Sequence, residues 1–141
     1  MDIIYIPSLS SYNKELEALY LSEGLETDGT KDTFYSVEAK DGGTLVGGIT
    51  LSRRYGVTVL DYVAVLPEYR KHGIGRTLVD TAFKTAKDKN IREIFLVTKA
   101  EGFFAKLGAV RTDEHNELLS ECFSCSRYME ECRPVLMKIR I

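Results

Sequence analysis

Six consecutive residues, Arg70-Lys71-His72-Gly73-Ile74-Gly75, join three basic side chains to two glycines one residue apart. That combination suits an oxyanion: the basic groups attract it, and glycine lets a phosphate come close to backbone N–H groups. The chemistry works best where a helix begins, because the first N–H groups there lack partners and the helix dipole is positive. The flanks provide such a start. Val63-Ala64-Val65-Leu66 is apolar and β-rich, and reads as the end of a buried strand. Pro67 stops it, since proline cannot donate to the next ladder bond. After Gly75 the apolar spacing turns helical, with Leu78, Val79, Ala82, Phe83 and Ala86 on one stripe and Arg76, Asp80, Lys84 and Lys87 mostly opposite. Strand, basic turn, helix is the layout of a site for the pyrophosphate of a nucleotide cofactor.

The elements around this turn follow from the rest of the chain. Asp2 to Ile6 reads as a first strand closed by Pro7. Ser8, Ser10 and Ser11 are helix-capping residues, Leu16, Leu19 and Tyr20 recur at helical spacing, and Gly24 should end that helix. Glu26 to Asp32 is a polar loop that can border a substrate site. Phe34 to Ala39 alternates into Asp41-Gly42-Gly43, a hairpin signal. Thr44 to Leu51 returns as a strand whose Gly47-Gly48 pair implies a bulge or a close backbone contact. A turn at Arg53-Arg54-Tyr55-Gly56 leads into the strand Val57 to Leu66. Asn90 ends the helix after Gly75, and Ile91 to Val97 follows as a buried strand, making a parallel crossover unit with Val57–Leu66. A short helix from Glu101 to Leu107, ended by Gly108, precedes a last strand between Arg133 and Ile141.

With 141 residues, 44% hydrophobic and 28% charged, the composition fits one soluble domain spanning residues 1–141. The net charge of -2 lacks the basic surplus of a nucleic-acid binder. No apolar run reaches the ~20 residues of a membrane span, and the N-terminus lacks a signal peptide's basic start. Three cysteines, an odd number, make no disulfide framework. A cytoplasmic protein is expected, with neither nucleic acid nor membrane as partner.

Arg70-Lys71-His72-Gly73-Ile74-Gly75 resembles the [Q/R]-x-x-G-x-[G/A] acyl-CoA signature of the Gcn5-related N-acetyltransferase (GNAT) superfamily. The β-α-β-β-β-α-β-α-β order is similar to that family across essentially the whole chain. A second stretch, Ala100-Glu101-Gly102-Phe103-Phe104-Ala105-Lys106-Leu107-Gly108-Ala109, looks like the family's A-x-x-F-Y-x-K-x-G-F block. There Phe104 replaces the tyrosine that often protonates the leaving thiolate. The combination from Leu96 to Phe104 resembles more closely a sub-branch typified by bacterial N-acetylglutamate synthases and related amino-acid acetyltransferases. The resemblance implies an α/β (α+β) GNAT-like fold with a mixed central sheet of six to seven strands and flanking helices. It implies acetyl-CoA as co-substrate, contacted by Val63, Ala64, Val65, Arg70, Lys71, His72, Gly73, Ile74, Gly75, Arg76, Phe103, Phe104 and Lys106. It also implies that the Val57–Leu66 strand splays from Ile91–Val97, leaving the edge groups of Val63 and Val65 to pair with the pantetheine amides. The acceptor would be a small amine, an amino acid among the options, and homodimers are common in such proteins. By contrast, Gly73-x-Gly75 lacks the third glycine of a dinucleotide fingerprint, since Leu78 stands there.

An attacking amine must be neutral, and at pH 7 a lysine-like amine of pKa ~10.4 is mostly protonated, so a base is useful. Glu38 and Asp61 are the candidates, and each also reads as a solvent-facing strand carboxylate. Tyr62 and Tyr69 are hydroxyl candidates for the missing donor, with packing roles as the alternative. Arg53 and Arg54 could clamp a carboxylate or merely solvate a hairpin tip. Cys122-x2-Cys125-x6-Cys132 with His115 holds one metal-like spacing, while ordinary reduced thiols are the plainer reading. The alternatives to catalysis are a CoA-binding regulator and a metal- or redox-sensing module built on those cysteines.

Overall fold

The computed structural model describes residues 2–8, 14–25, 33–119 and 134–141. Its strands are β1 (Ile3–Ser8), β2 (Thr33–Asp41), β3 (Thr44–Arg54), β4 (Val57–Val65), β5 (Glu93–Thr98), β6 (Val110–Arg111) and β7 (Val135–Arg140). The helices are α1 (Lys14–Ser22), α2 (Ile74–Asp88) and α3 (Glu101–Ala105), with 3-10 turns at Pro67–Tyr69 and Asn116–Leu119. The strands form one mixed sheet in the order β1-β2-β3-β4-β5-β7-β6. Only β4 and β5 run parallel, joined by the α2 crossover, and every other neighbouring pair is antiparallel. The expected mixed α/β sheet is what the chain builds. No helix among the described residues is long and apolar enough to cross a membrane.

Alternation along the strands gives the sheet two different faces. One carries Tyr35, Val37, Ile49, Leu51 and Leu60 against Leu78, Val79 and Ala82 of α2, which together form the main core. The Tyr35 hydroxyl and Thr85 Oγ1, 2.9 Å apart, tie α2 to the sheet. The other face holds two smaller apolar clusters. Leu16, Leu19 and Tyr20 of α1 pack with Leu45, Tyr62, Ala64 and Leu66. Further along, Leu118 of the second 3-10 turn packs with Val59, Phe95 and Leu136. Gly48 is what lets α1 lie down: a Cβ there would stand 2.1 Å from Leu16 Cδ2. The glycine pair therefore marks a close contact, and the register also slips beside it, between Ala39 and Lys40.

Several boundaries differ from the sequence expectations. Pro7 lies inside β1, opposite Val37. β1 is an edge strand, where a missing N–H is harmless if it would face outward. β3 runs on through Arg54, and the turn is only Tyr55-Gly56, with φ of 53° and 77°. Two left-handed residues give the twist that a two-residue hairpin requires. α2 starts at Ile74 rather than after Gly75. β5 starts at Glu93 rather than Ile91, α3 ends at Ala105 rather than Leu107, and β6 and the second 3-10 turn had no sequence signal. The loop 26–32 and Cys122, Cys125 and Cys132 lie outside the described residues.

Candidate active site

The site begins where β4 and β5 part. Their parallel pairing is confined to Thr58↔Ile94, Val59↔Phe95 and Leu60↔Leu96. At the next residue the β3–β4 register slips, pairing Leu51 with Leu60 but Thr50 with Tyr62, so Asp61 is the extra residue of a bulge. Beyond it, β4 keeps β3 and loses β5. Leu66 N–H donates to Val46 O at 2.8 Å. Since N–H and C=O groups alternate sides along a strand, Ala64 turns toward β3, while Val63 and Val65 turn toward the opened gap. The Val65 carbonyl accepts a bond there from Arg70 Nε at 3.0 Å.

The basic turn lies beyond the end of that strand. Lys71 and Gly73 both have left-handed backbones, with φ of 69° and 77°. Gly73 is the N-cap of α2 and provides no side-chain cap bond. Consecutive N–H groups in such a turn form an anion-binding concavity at the positive end of a 15-residue helix. Gly75 leaves room: a Cβ there would meet only Val65 Cγ2, at 3.8 Å. Lys71, His72 and Arg76 are exposed around the turn, with Arg76 Nε 3.5 Å from Asp80. Ile74 is different, its side chain buried in the main core, so only its backbone can face a ligand. The Arg70 guanidinium is already engaged, with Nη2 2.6 Å from Glu23 Oε1. It therefore fastens the end of β4 to the end of α1.

On the α1 face, a polar strip separates the two small apolar clusters. Ser36, Thr50 and Tyr62 are direct cross-strand neighbours, while Glu38, Ser52 and Arg54 fall on the same face by alternation. The Tyr20 hydroxyl shares a buried hydrogen bond with Thr50 Oγ1 at 2.7 Å, and its ring lies 5.0 Å from that of Tyr62. Burial pushes the Tyr20 hydroxyl well above the usual phenol range, opposed by the Thr50 bond and reinforced by Asp61, Tyr62 and Glu38. Those three acid–base candidates thus gather around one phenol. Asp61, 4% exposed at its side chain, is ion-paired with Arg54. Glu38, half-buried, has no cation paired with it among the described residues.

Other candidates stand elsewhere. The Tyr69 hydroxyl donates to Asp41 Oδ2 at 2.8 Å, which raises its pKa and ties the turn to the β2–β3 hairpin. Arg53 bonds Thr58 Oγ1 and Gly56 O at 3.2 and 3.3 Å and braces its own hairpin. His115 faces Glu117 at 3.3 Å and the ring of Phe95 at 5.0 Å. No group of three or more metal-ligating side chains occurs among the described residues.

The profile of the acetyltransferase (GNAT) family matches residues 3–109. The chain belongs to this family. An uncharacterised N-acetyltransferase of Chlorobaculum tepidum is 31% identical over 70 residues, 48% of this chain and 45% of that protein. The chain therefore spans under half the length of this curated relative. Among solved structures, N-acetylglutamate synthase of Neisseria gonorrhoeae, complexed with coenzyme A and N-acetylglutamate, superposes with a TM-score of 0.72 at 16% identity. The superposition covers 99% of this chain and 35% of that one. A GNAT acetyltransferase of Elizabethkingia anophelis with acetyl-CoA bound gives 0.66 at 18% identity, covering 99% and 98%. At such identities the likeness is one of fold.

Against the GNAT pattern, Phe104 takes a clear position. It is 4% exposed and packs in the main core, whereas its neighbour Phe103 is 41% exposed, the rings meeting edge-on at 5.0 Å. Phe103 is the ring a ligand could touch, and Phe104 supports it. Lys106, exposed, ends α3. Sequence reading missed Tyr20, Thr50, Ser36, Ser52 and Glu23. Tyr20 looked like part of an apolar stripe, and the serines and threonine like the wet side of alternating strands.

Proposed function

We propose that this GNAT protein transfers the acetyl group of acetyl-CoA to the primary amine of a small molecule, by direct attack within a ternary complex. The observation that carries the reading is the coincidence, at Asp61, of the bulge and the end of β4–β5 pairing. The gap runs from that bulge to the end of β4, with the polar strip at its start and the basic turn beyond its end. Lys71, His72, Gly73, Gly75 and Arg76 would hold the phosphates, and Val63 and Val65 would pair with the amides of the pantetheine arm. Acetyl-CoA supplies the activated acyl carbon as a thioester.

The protein's own contribution is placement and proton handling. An ammonium entering the strip must lose a proton, and Glu38, a half-buried strand carboxylate with no paired cation among the described residues, is the base in this scheme. A C–N bond then forms as the C–S bond breaks. The nitrogen sheds its second proton as the amide forms, and the leaving thiolate gains one through the Tyr62 hydroxyl or water, solvent being competent because a thiol pKa is ~8.5. Strand N–H groups facing the gap stabilise the charge that develops on the acyl oxygen. An amine panel with acetyl-CoA, reading thiol release and acetylated product together, tests the proposal. Matching yields of both are expected. Tight CoA binding with no turnover on any amine would sink it and favour a CoA-binding regulator, the reading that Phe104 supports.

A further inference from the structure

Among the described residues, three buried side-chain oxygens have no hydrogen-bond partner: Glu17 Oε2, Ser36 Oγ and Ser52 Oγ. The topology brings all three to the polar strip. Ser36 stands directly across from Thr50, and Ser52 lies two residues further along β3, at 2% and 0% exposure. Glu17 lies on α1, which packs over β3 and β4 on this face. A helix turns about 100° per residue, so Glu15 and Glu17 point roughly 200° apart. Glu15 lies 3.9 Å from Lys40, on one flank of α1. Glu17 therefore takes the opposite flank, the one from which Tyr20, a turn later, bonds Thr50.

Buried oxygens left unbonded are costly, and a carboxylate oxygen more so, unless a donor arrives. The charges on the strip agree on what that donor is. Its one guanidinium, Arg54, is ion-paired with Asp61, while Glu17 and Glu38 have no paired cation among the described residues. A substrate carboxylate would meet Glu17 and Glu38, and the Arg54 guanidinium, whose Nε lacks a hydrogen bond, is balanced by Asp61. A second ammonium would meet two carboxylates and two hydroxyl oxygens able to accept from it.

Resting on the transferase reading above, we propose that the acceptor carries a second positive charge and no carboxylate, as in a short aliphatic diamine. Glu17 holds the distal ammonium, with Ser36 and Ser52 accepting from it, while the reacting amine lies beside Tyr62. This reverses the amino-acid expectation drawn from resemblance.

Three four-carbon probes test it: putrescine, n-butylamine and γ-aminobutyrate, each titrated calorimetrically into the CoA-loaded full chain and each assayed for acetylation. Putrescine should bind about 10-fold more tightly than n-butylamine, the scale of one charge-assisted hydrogen bond, with γ-aminobutyrate weakest. Glu17→Gln should bring putrescine down to the n-butylamine level. Equal binding of the first two probes, a lead for γ-aminobutyrate, or an unchanged preference in Glu17→Gln would each overturn the inference. Should that variant not fold, the ranking on the parent protein decides alone. Selective binding without turnover removes the transferase reading and keeps this one, and unselective turnover does the reverse.

Discussion

Replacing Gly48 with alanine would set a methyl carbon 2.1 Å from Leu16 Cδ2. Carbon atoms rest about 3.5–4.0 Å apart, so Leu16 must retreat by roughly 1.5 Å. Leu16 is fully buried in the cluster between α1 and the sheet and has little room to rotate, so the strain passes to α1 itself. Overpacking of this kind costs about 1–3 kcal/mol, or roughly 4–12 °C in Tm for a chain of this size. Because α1 also carries Glu17 and Tyr20, the acceptor KM should rise more than CoA affinity falls. Calorimetry on a double-mutant cycle isolates the contact. Leu16→Ala alone should cost about 2–5 kcal/mol, yet the double variant should be more stable than the sum of the two by over about 1 kcal/mol, since the new methyl fills the vacated space. Additivity within about 0.5 kcal/mol would refute the idea that this glycine exists to seat Leu16.

The two glycines of the turn should separate strain from space. Gly73→Ala, at φ 77°, should cost about 1–2 kcal/mol of stability and weaken CoA binding by calorimetry. Gly75→Ala, inside α2 with only Val65 Cγ2 at 3.8 Å, should raise stability by about 0.5–1 kcal/mol while still weakening CoA. Phe104→Tyr should not raise kcat, because its hydroxyl would be buried in the main core at a cost of about 1–3 kcal/mol, measurable by denaturant unfolding. Glu101 accepts two bonds from Arg111, at 2.5 and 2.7 Å, and these hold its carboxyl below the usual value. Its stabilising contribution is therefore present above the unfolded pKa of ~4.3 and lost as pH falls through the lower folded value. Glu101→Gln should flatten that part of the acid limb in denaturant midpoints measured against pH.

The cofactor side of the site was legible in the sequence because its chemistry is local. A β-branched run, a proline, a basic turn and two spaced glycines lie within a dozen residues, and each constrains the backbone it occupies. The hairpins were legible for the same reason, with Asp41-Gly42-Gly43 reading directly as a turn. The acceptor side was not. Ser36, Thr50, Ser52 and Tyr62 come from three strands and meet only through register, and Tyr20 reaches Thr50 across 30 positions. Arg70 shows the limit within the motif itself. Its type and place suggested phosphate, and its guanidinium also reaches Glu23, a partner 47 positions away that no local reading could supply.

The extra residue at Asp61 also works as a phase shift. Before it, even-numbered Leu60 faces α2; after it, odd-numbered Val63 and Val65 do, and even-numbered Tyr62 and Ala64 face α1. Were β4 to run through Asp61 in regular alternation, without the bulge, its upper half would be read in the opposite frame. The phenol of Tyr62 would press into the main core, and valines would line the polar strip. A single inserted residue thus sets which chemistry each side of the gap displays.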